Sequence, residues 1–273
     1  MDAEVGRRGS NVLSRSLGPL LCLGLLFVLG CTGAAAPTCP SGAGAGGCTT
    51  VLFLGNSYTY VNDLPSTFAQ LAESAGRSVE VASVANGGET LADHSTSSDS
   101  LDAISSRRWT YVVLQEQSET PATPGGRDYM YPAARALAGR VEAAGSVPMF
   151  FMTWAHKDGL PTAGLYSYEA MQQQIDGAYL DIAQELRVPV APVGYVWYLV
   201  RHDHPEIDLW SDDGSHPNQA GTYLAACVFY ASIFKQSPVG LGFHGGVSDA
   251  QAAELQTEAG QHVLDMQSEW GLR

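Results

Sequence analysis

Positive charge is scarce in this chain. Its 14 lysines and arginines stand against 28 aspartates and glutamates, for a formal net charge of −14 over 273 residues. That balance argues against a nucleic-acid partner and against electrostatic attachment to an anionic membrane surface. Metal-binding spacing is also absent: no pair of cysteines or histidines has a zinc pattern, and His202 and His204, two apart in a polar stretch, make a poor site alone. No metal and no cofactor are expected. The apolar run Leu17 to Gly30 falls short of the ~20 residues that a membrane-crossing helix needs. Neither an internal repeat nor a linker to a second domain is visible.

What is there begins with a leader. Arg7, Arg8 and Arg15 form the basic start of an export signal whose apolar core is Leu17 to Gly30. Val28-Leu29-Gly30-Cys31 resembles the lipobox of bacterial lipoproteins, which implies a lipidated Cys31 as the first mature residue. An ordinary secretory signal cut around Ala34 to Ala36 is the other reading. Residues 1–30 are therefore assigned to a signal peptide, and 31–48, rich in Ala, Gly, Pro and Ser, to a lipid-anchored or flexible tether. Either way the mature protein is expected to be exported, as a membrane-anchored lipoprotein of the periplasm or cell surface or in secreted form. Cys39 and Cys48 are placed to close a small loop in an oxidising compartment, while Cys227 reads as a buried, unreactive thiol.

Residues 49–273 suit one domain with a sizeable core. Short apolar runs alternate with helical patterns. Strands are predicted at Thr50–Leu54, Val79–Val84, Tyr111–Leu114, Pro148–Thr153 and Val188–Val193. Helices are predicted at Pro65–Ala75, Leu101–Ser105, Tyr129–Ala144, Tyr166–Leu186, Tyr195–Arg201, Pro217–Phe234 and Asp249–Trp270. The alternation specifies an α/β fold, a three-layer α/β/α sandwich around a central, mostly parallel five-stranded sheet. Open parallel sheets carry their sites beyond the carboxyl ends of the strands. Ser57, Gly87-Gly88, Gln115 to Gln117, and Trp154 to Asp158 all follow predicted strands and should share one rim.

Two distant stretches carry chemistry. Asp213-Gly214-Ser215-His216-Pro217 sets a carboxylate and an imidazole three residues apart in the turn that enters a helix, with Pro217 at its first position. There the acid can fix the ring tautomer and leave the other nitrogen as a base. Far upstream, Leu54-Gly55-Asn56-Ser57-Tyr58 closes the first strand with a hydroxyl. Each stretch alone serves equally well as a turn or a cap. Together they point to acyl transfer through Ser57, His216 and Asp213.

These residues resemble the SGNH (GDSL-type) hydrolase superfamily, whose members are α/β/α esterases and lipases with four short sequence blocks. Gly55-Asn56-Ser57 resembles the first block, with Asn56 where Asp is usual. Asn86-Gly87-Gly88-Glu89-Thr90 resembles the second, Gln115-Glu116-Gln117-Ser118 holds the place of the third, and Asp213-x-x-His216 matches the last. The resemblance spans Val51 to about Phe234. It implies an oxyanion hole built from the N–H groups of Ser57 and Gly88 with the side chain of Gln117, or of Gln115 in place of the family's asparagine. Tyr58, His94, Trp154 and Asp158 are candidate walls of the substrate pocket, as are the residues between Trp154 and Asp158. The implied activity is carboxylic-ester hydrolysis, with a carbohydrate or cell-envelope O-acetyl ester as one substrate and no cofactor. A lipase or thioesterase, and a non-catalytic lipoprotein that binds glycans or an envelope partner, remain the alternatives. Oligomeric state is left open.

Overall fold

The run Val51-Leu52-Phe53-Leu54 has no solvent exposure, which a strand attains when helices cover both faces of its sheet. It forms the middle of β1 (Cys48–Gly55) in a computed structural model that describes residues 47–272. The expected signal peptide, residues 31–46 of the tether, Cys31 and Cys39 lie outside the described residues. Cys48 is disulfide-bonded.

Four further strands join β1: β2 (Ser78–Ala85), β3 (Tyr111–Leu114), β4 (Val147–Phe151) and β5 (Val190–Ala191). Their order is β2-β1-β3-β4-β5 and every pair is parallel. The register sets Leu54 beside Leu114, Leu114 beside Phe150, and Phe151 beside Ala191, so the carboxyl ends form one continuous rim. The expected fold class is the observed one.

The strands are connected by α1 (Ser57–Tyr60), α2 (Leu64–Ser74), α3 (Leu91–Thr96), α4 (Ser98–Ser105), α5 (Pro124–Ala143) and α6 (Tyr168–Leu186); α7 (Val193–Asp203), α8 (Gln219–Phe234) and α9 (Asp249–Leu264) follow β5. One group of helices packs α2 against α8 and α8 against α9, and another packs α3, α4 and α6 around α5. Helix α8 is buried from Ala220 through Ile233, which matches a sequence apolar on all sides. Cys227 lies within it, free and fully buried, and burial pushes its thiol pKa up.

Several boundaries differ from expectation for local reasons. β5 keeps only two of six expected residues, because Pro189 and Pro192 flank it and neither has an N–H to donate. Its Val190 N–H instead donates to Trp270 O at 2.9 Å, so the chain after α9 turns back to close this edge rather than extending the helix to Trp270. Helix α8 begins at Gln219 with Asn218 as its cap, not at Pro217. Pro217 stays extended, bridges to Trp210, and its carbonyl accepts from Asn62 Nδ2 and Ser211 Oγ. Helix α5 starts five residues early, at Pro124 behind a Thr123 cap. A Cβ on Gly126 would come within 2.0 Å of Thr120 O, so the tight entry needs glycine there.

Candidate active site

Strand β1 ends at Gly55 and the chain enters α1 at once, with Asn56 capping it through Oδ1 and Tyr58 N at 3.1 Å. The turn aims Ser57 at the loop between α7 and α8. Ser57 Oγ lies 2.9 Å from His216 Nε2, and His216 Nδ1 lies 2.5 Å from Asp213 Oδ2. Asp213 Oδ1 accepts from the N–H groups of Ser215 and His216, each at 2.9 Å. Partial burial pushes the Asp213 carboxyl up, but the Ser215 N–H and the ring and N–H of His216 outweigh it and bring the pKa down to about 2. An ionised Asp213 holding Nδ1–H leaves Nε2 with its lone pair toward the serine hydroxyl.

The loop that carries this pair is tied to the segment after β4. Gly214 O accepts from Lys157 N at 2.8 Å, and Ser215 O accepts from Trp154 Nε1 at 3.0 Å. Tyr58 OH meets Ser215 Oγ at 2.8 Å, and its ring stacks on Trp154 at 4.4 Å, which stacks in turn on Trp197 at 4.1 Å. Trp154 is therefore a buried floor beneath the site, not a pocket wall. Asp158 is exposed and lies outside the depression above Ser57.

That depression has a volume of about 380 Å³. It is lined by Asn56, Ser57, Tyr58, Tyr60, Gly87, Gly88, Gln117, Ser118, Glu119, His156, Ser215 and His216. Of the residues expected after β4, His156 reaches it. Its Nε2 sits 3.1 Å from Ser118 Oγ, and burial lowers its pKa, so it enters as a neutral hydrogen-bonding ring. Ser118 and Ser215 stand inside the quoted motifs, while Tyr60 and Glu119 carry no signal in the sequence. A second depression, about 440 Å³ beside Arg187 and Trp270, lies at the start of β5 and has no histidine in its lining.

The backbone N–H groups of Ser57 and Gly88 at the depression, like those of Gly87 and Ser118, donate to no acceptor among the described residues. Gly88 has φ +74°, a conformation that glycine adopts without strain. Gln117 Oε1 accepts from Glu119 N, Thr120 N and Thr120 Oγ1, while its Nε2 makes one long contact, 3.4 Å to Ser118 Oγ. Gln115 is different. It is fully buried, Oε1 accepts from Asn56 N and Thr59 Oγ1, and Nε2 donates to Asn56 Oδ1 and Glu116 O. With both ends committed, Gln115 has no donor to offer a substrate.

The amide at position 56 has a reason here. Asn56 Nδ2 donates to Glu89 O at 2.9 Å, where a carboxylate would face a carbonyl oxygen. His94, expected as a pocket wall, is fully buried instead. Its ring bridges Gly55 O at 2.9 Å and Ser100 Oγ at 2.8 Å, fastening α3 to the serine turn.

No model of a known protein family matches the chain, and no curated protein does. Solved structures do. A protein from Slackia heliotrinireducens assigned to the SGNH hydrolases is 30% identical over 67% of this chain and 97% of its own, with a TM-score of 0.56. A DUF4886 family protein from Bacteroides uniformis is 18% identical over 80% of this chain and 95% of its own, with a TM-score of 0.68. Axe2, an acetylxylan esterase from Geobacillus stearothermophilus, shares the fold at 14% identity over 68% of this chain and 94% of its own, with a TM-score of 0.53.

Proposed function

Because the chain belongs to the SGNH hydrolase superfamily, we propose that it is a serine esterase with Ser57 as nucleophile, His216 as base and Asp213 as the residue that orients the base. The observation that carries this reading is the continuous line from Asp213 Oδ2 through the His216 ring to Ser57 Oγ, with contacts of 2.5 and 2.9 Å. In the first half-reaction Ser57 Oγ attacks the ester carbonyl carbon and His216 Nε2 takes the hydroxyl proton. The carbonyl oxygen, now negative, is received by Ser57 N–H, Gly88 N–H and Gln117 Nε2. Collapse breaks the bond to the alcohol, which leaves with the proton from His216. Water then attacks the acyl-serine with His216 as base again, releasing the acid and restoring Ser57.

The lining supports a short acyl group on a polar, uncharged alcohol. It contains no aliphatic side chain that would hold a long acyl chain, and no Lys or Arg that would pair with an anion. We therefore favour an acetyl ester of a carbohydrate, in the cell envelope or elsewhere, over a lipid or thioester substrate. The basic start, apolar core and Gly30-Cys31 pair of the leader support export with a lipid anchor on Cys31. Intact-mass analysis of the native amino terminus should find a diacylglyceryl adduct on Cys31; an unmodified start beyond Cys31 rules the anchor out.

The enzymatic test uses a serine-directed fluorophosphonate and p-nitrophenyl esters. The wild-type domain should label, Ser57→Ala should not, and Ser57→Ala should lower kcat on the acetyl ester by at least about 10⁴-fold. The acetyl ester should exceed the octanoyl ester in kcat/KM by tenfold or more, about 1.4 kcal/mol. Preference for octanoyl would support the lipase or thioesterase reading instead. A folded wild-type protein that neither labels nor turns over would leave the glycan- or envelope-binding reading.

A further inference from the structure

Glu116 is the only acidic side chain among the described residues that is fully buried. It sits between the loop after β2 and the loop after β3. Its Oε1 accepts from Leu91 N at 3.2 Å, at the start of α3, and from Gln117 N at 2.7 Å. Its own N–H donates to the Tyr179 hydroxyl at 3.1 Å, and its Oε2 has no hydrogen-bond partner. Leu91 directly follows the Gly87-Gly88-Glu89-Thr90 turn, and Gln117 lines the depression. One oxygen thus spans the two segments that carry the non-serine donors of the proposed oxyanion hole. Bracing alone does not call for a carboxyl. A glutamine would accept the same two N–H groups through its amide oxygen and could not ionise in a buried place.

We propose that Glu116 is a positioning residue of the oxyanion hole: one carboxyl oxygen holds the two donor loops in register, and the protonation state of the other sets how strongly the hole receives negative charge. The proposal rests on the serine-esterase reading above. Burial pushes the Glu116 carboxyl up, the Gln117 and Leu91 N–H groups pull it down, and the negative Asp93 of α3 pushes it up again, to a net value of about 7. The other titratable group against it, Tyr179 of α6, is itself pushed up by burial and stays neutral. Gln115, whose amide donates to Glu116 O, and Asn56, which that amide also reaches, carry no charge.

The sign follows from where the charge would sit. A protonated Glu116 leaves the donors facing the oxyanion unopposed. An ionised one places a buried negative charge behind them, and at an effective dielectric near 20 that repulsion slows turnover by about tenfold. Turnover should therefore fall on the alkaline side as Glu116 loses its proton.

The test is kcat on p-nitrophenyl acetate from pH 6 to 9.5 for wild type, Glu116→Gln and Asp93→Asn, with thermal melts as folding controls. Wild type should fall about tenfold on the alkaline side. Glu116→Gln should keep its turnover there, with KM changed less than about twofold. Asp93→Asn should move the fall to lower pH, because it removes a charge that raises the Glu116 pKa. A folded Glu116→Gln with the wild-type alkaline fall overturns the proposal. Should that variant not fold, Asp93→Asn decides: a fall that stays in place or moves up overturns it equally. Loss of activity in Ser57→Ala alongside an unchanged Glu116→Gln profile sinks this inference and leaves the esterase reading standing; activity that survives Ser57→Ala ends both.

Discussion

Gln115 and Gln117 are two residues apart and chemically identical, yet their surroundings give them opposite work. Gln115 crosses behind the serine turn so closely that a Cβ on Gly55 would lie 2.4 Å from both Gln115 Oε1 and Thr59 Oγ1. The glycine before Asn56 is thus a requirement of the neighbouring strand's side chain, not only of the turn itself. Removing Gln115 strips the acceptor from Asn56 N and from Thr59 Oγ1, both buried, at about 1–3 kcal/mol for each unsatisfied donor. Removing Gln117 takes away the proposed side-chain donor and loosens only a half-buried turn. Gln117→Ala should lower kcat about 10²–10³-fold with little change in KM. Gln115→Ala should instead lose several degrees of melting temperature. Paired kinetics and thermal melts separate the two, and wild-type kcat in Gln117→Ala would remove that residue from the hole.

The elements most legible in the sequence were those whose environment is uniform. β1, β3 and β4 are covered on both faces, so each reads as an unbroken apolar run, and α6 and α8 are long enough to show their pattern. The short helices α1 and α3, with four and six residues, offer too few turns for any period to appear. They exist because of local capping and distant anchors. Thr90 and Asp93 form a reciprocal capping box at the start of α3, and His94 ties that helix to Gly55 O. A histidine in such a polar-looking segment, Leu91-Ala92-Asp93-His94-Ser95-Thr96, gives no sign that it is buried. Ser57, Asp213 and His216 stood out because each occupies a turn beside a strong element, and the structure brings the three together. Trp154 was placed after the right strand, but only the stacking on Tyr58 and Trp197 reveals that it faces down rather than up.

At the scale of the whole molecule the dominant fact is charge. Arg7, Arg8, Arg15 and Arg273 lie outside the described residues, against only Asp2 and Glu4, so the described domain is more negative than the net −14 of the chain. Near the site the basic side chain of Lys157 is already engaged, 2.7 Å from Asp208 Oδ2 and over the Trp210 ring, while Glu119 stands exposed on the rim. The summed field should lower the local concentration of anionic substrates and leave neutral ones untouched. Two esters that carry the same acetyl group test this: an O-acetylated methyl glucuronoside as the free acid, and its neutral methyl ester. At low ionic strength the anion should show a kcat/KM about tenfold below that of the neutral compound. Added salt should shrink the gap, since the Debye length drops from about 30 Å at 0.01 M to about 3 Å at 1 M. A gap that persists unchanged at high salt would place its cause in direct contacts at the rim rather than in the long-range field. An anion hydrolysed as fast as its neutral partner at low salt would refute the electrostatic argument and, with it, the preference for an uncharged alcohol.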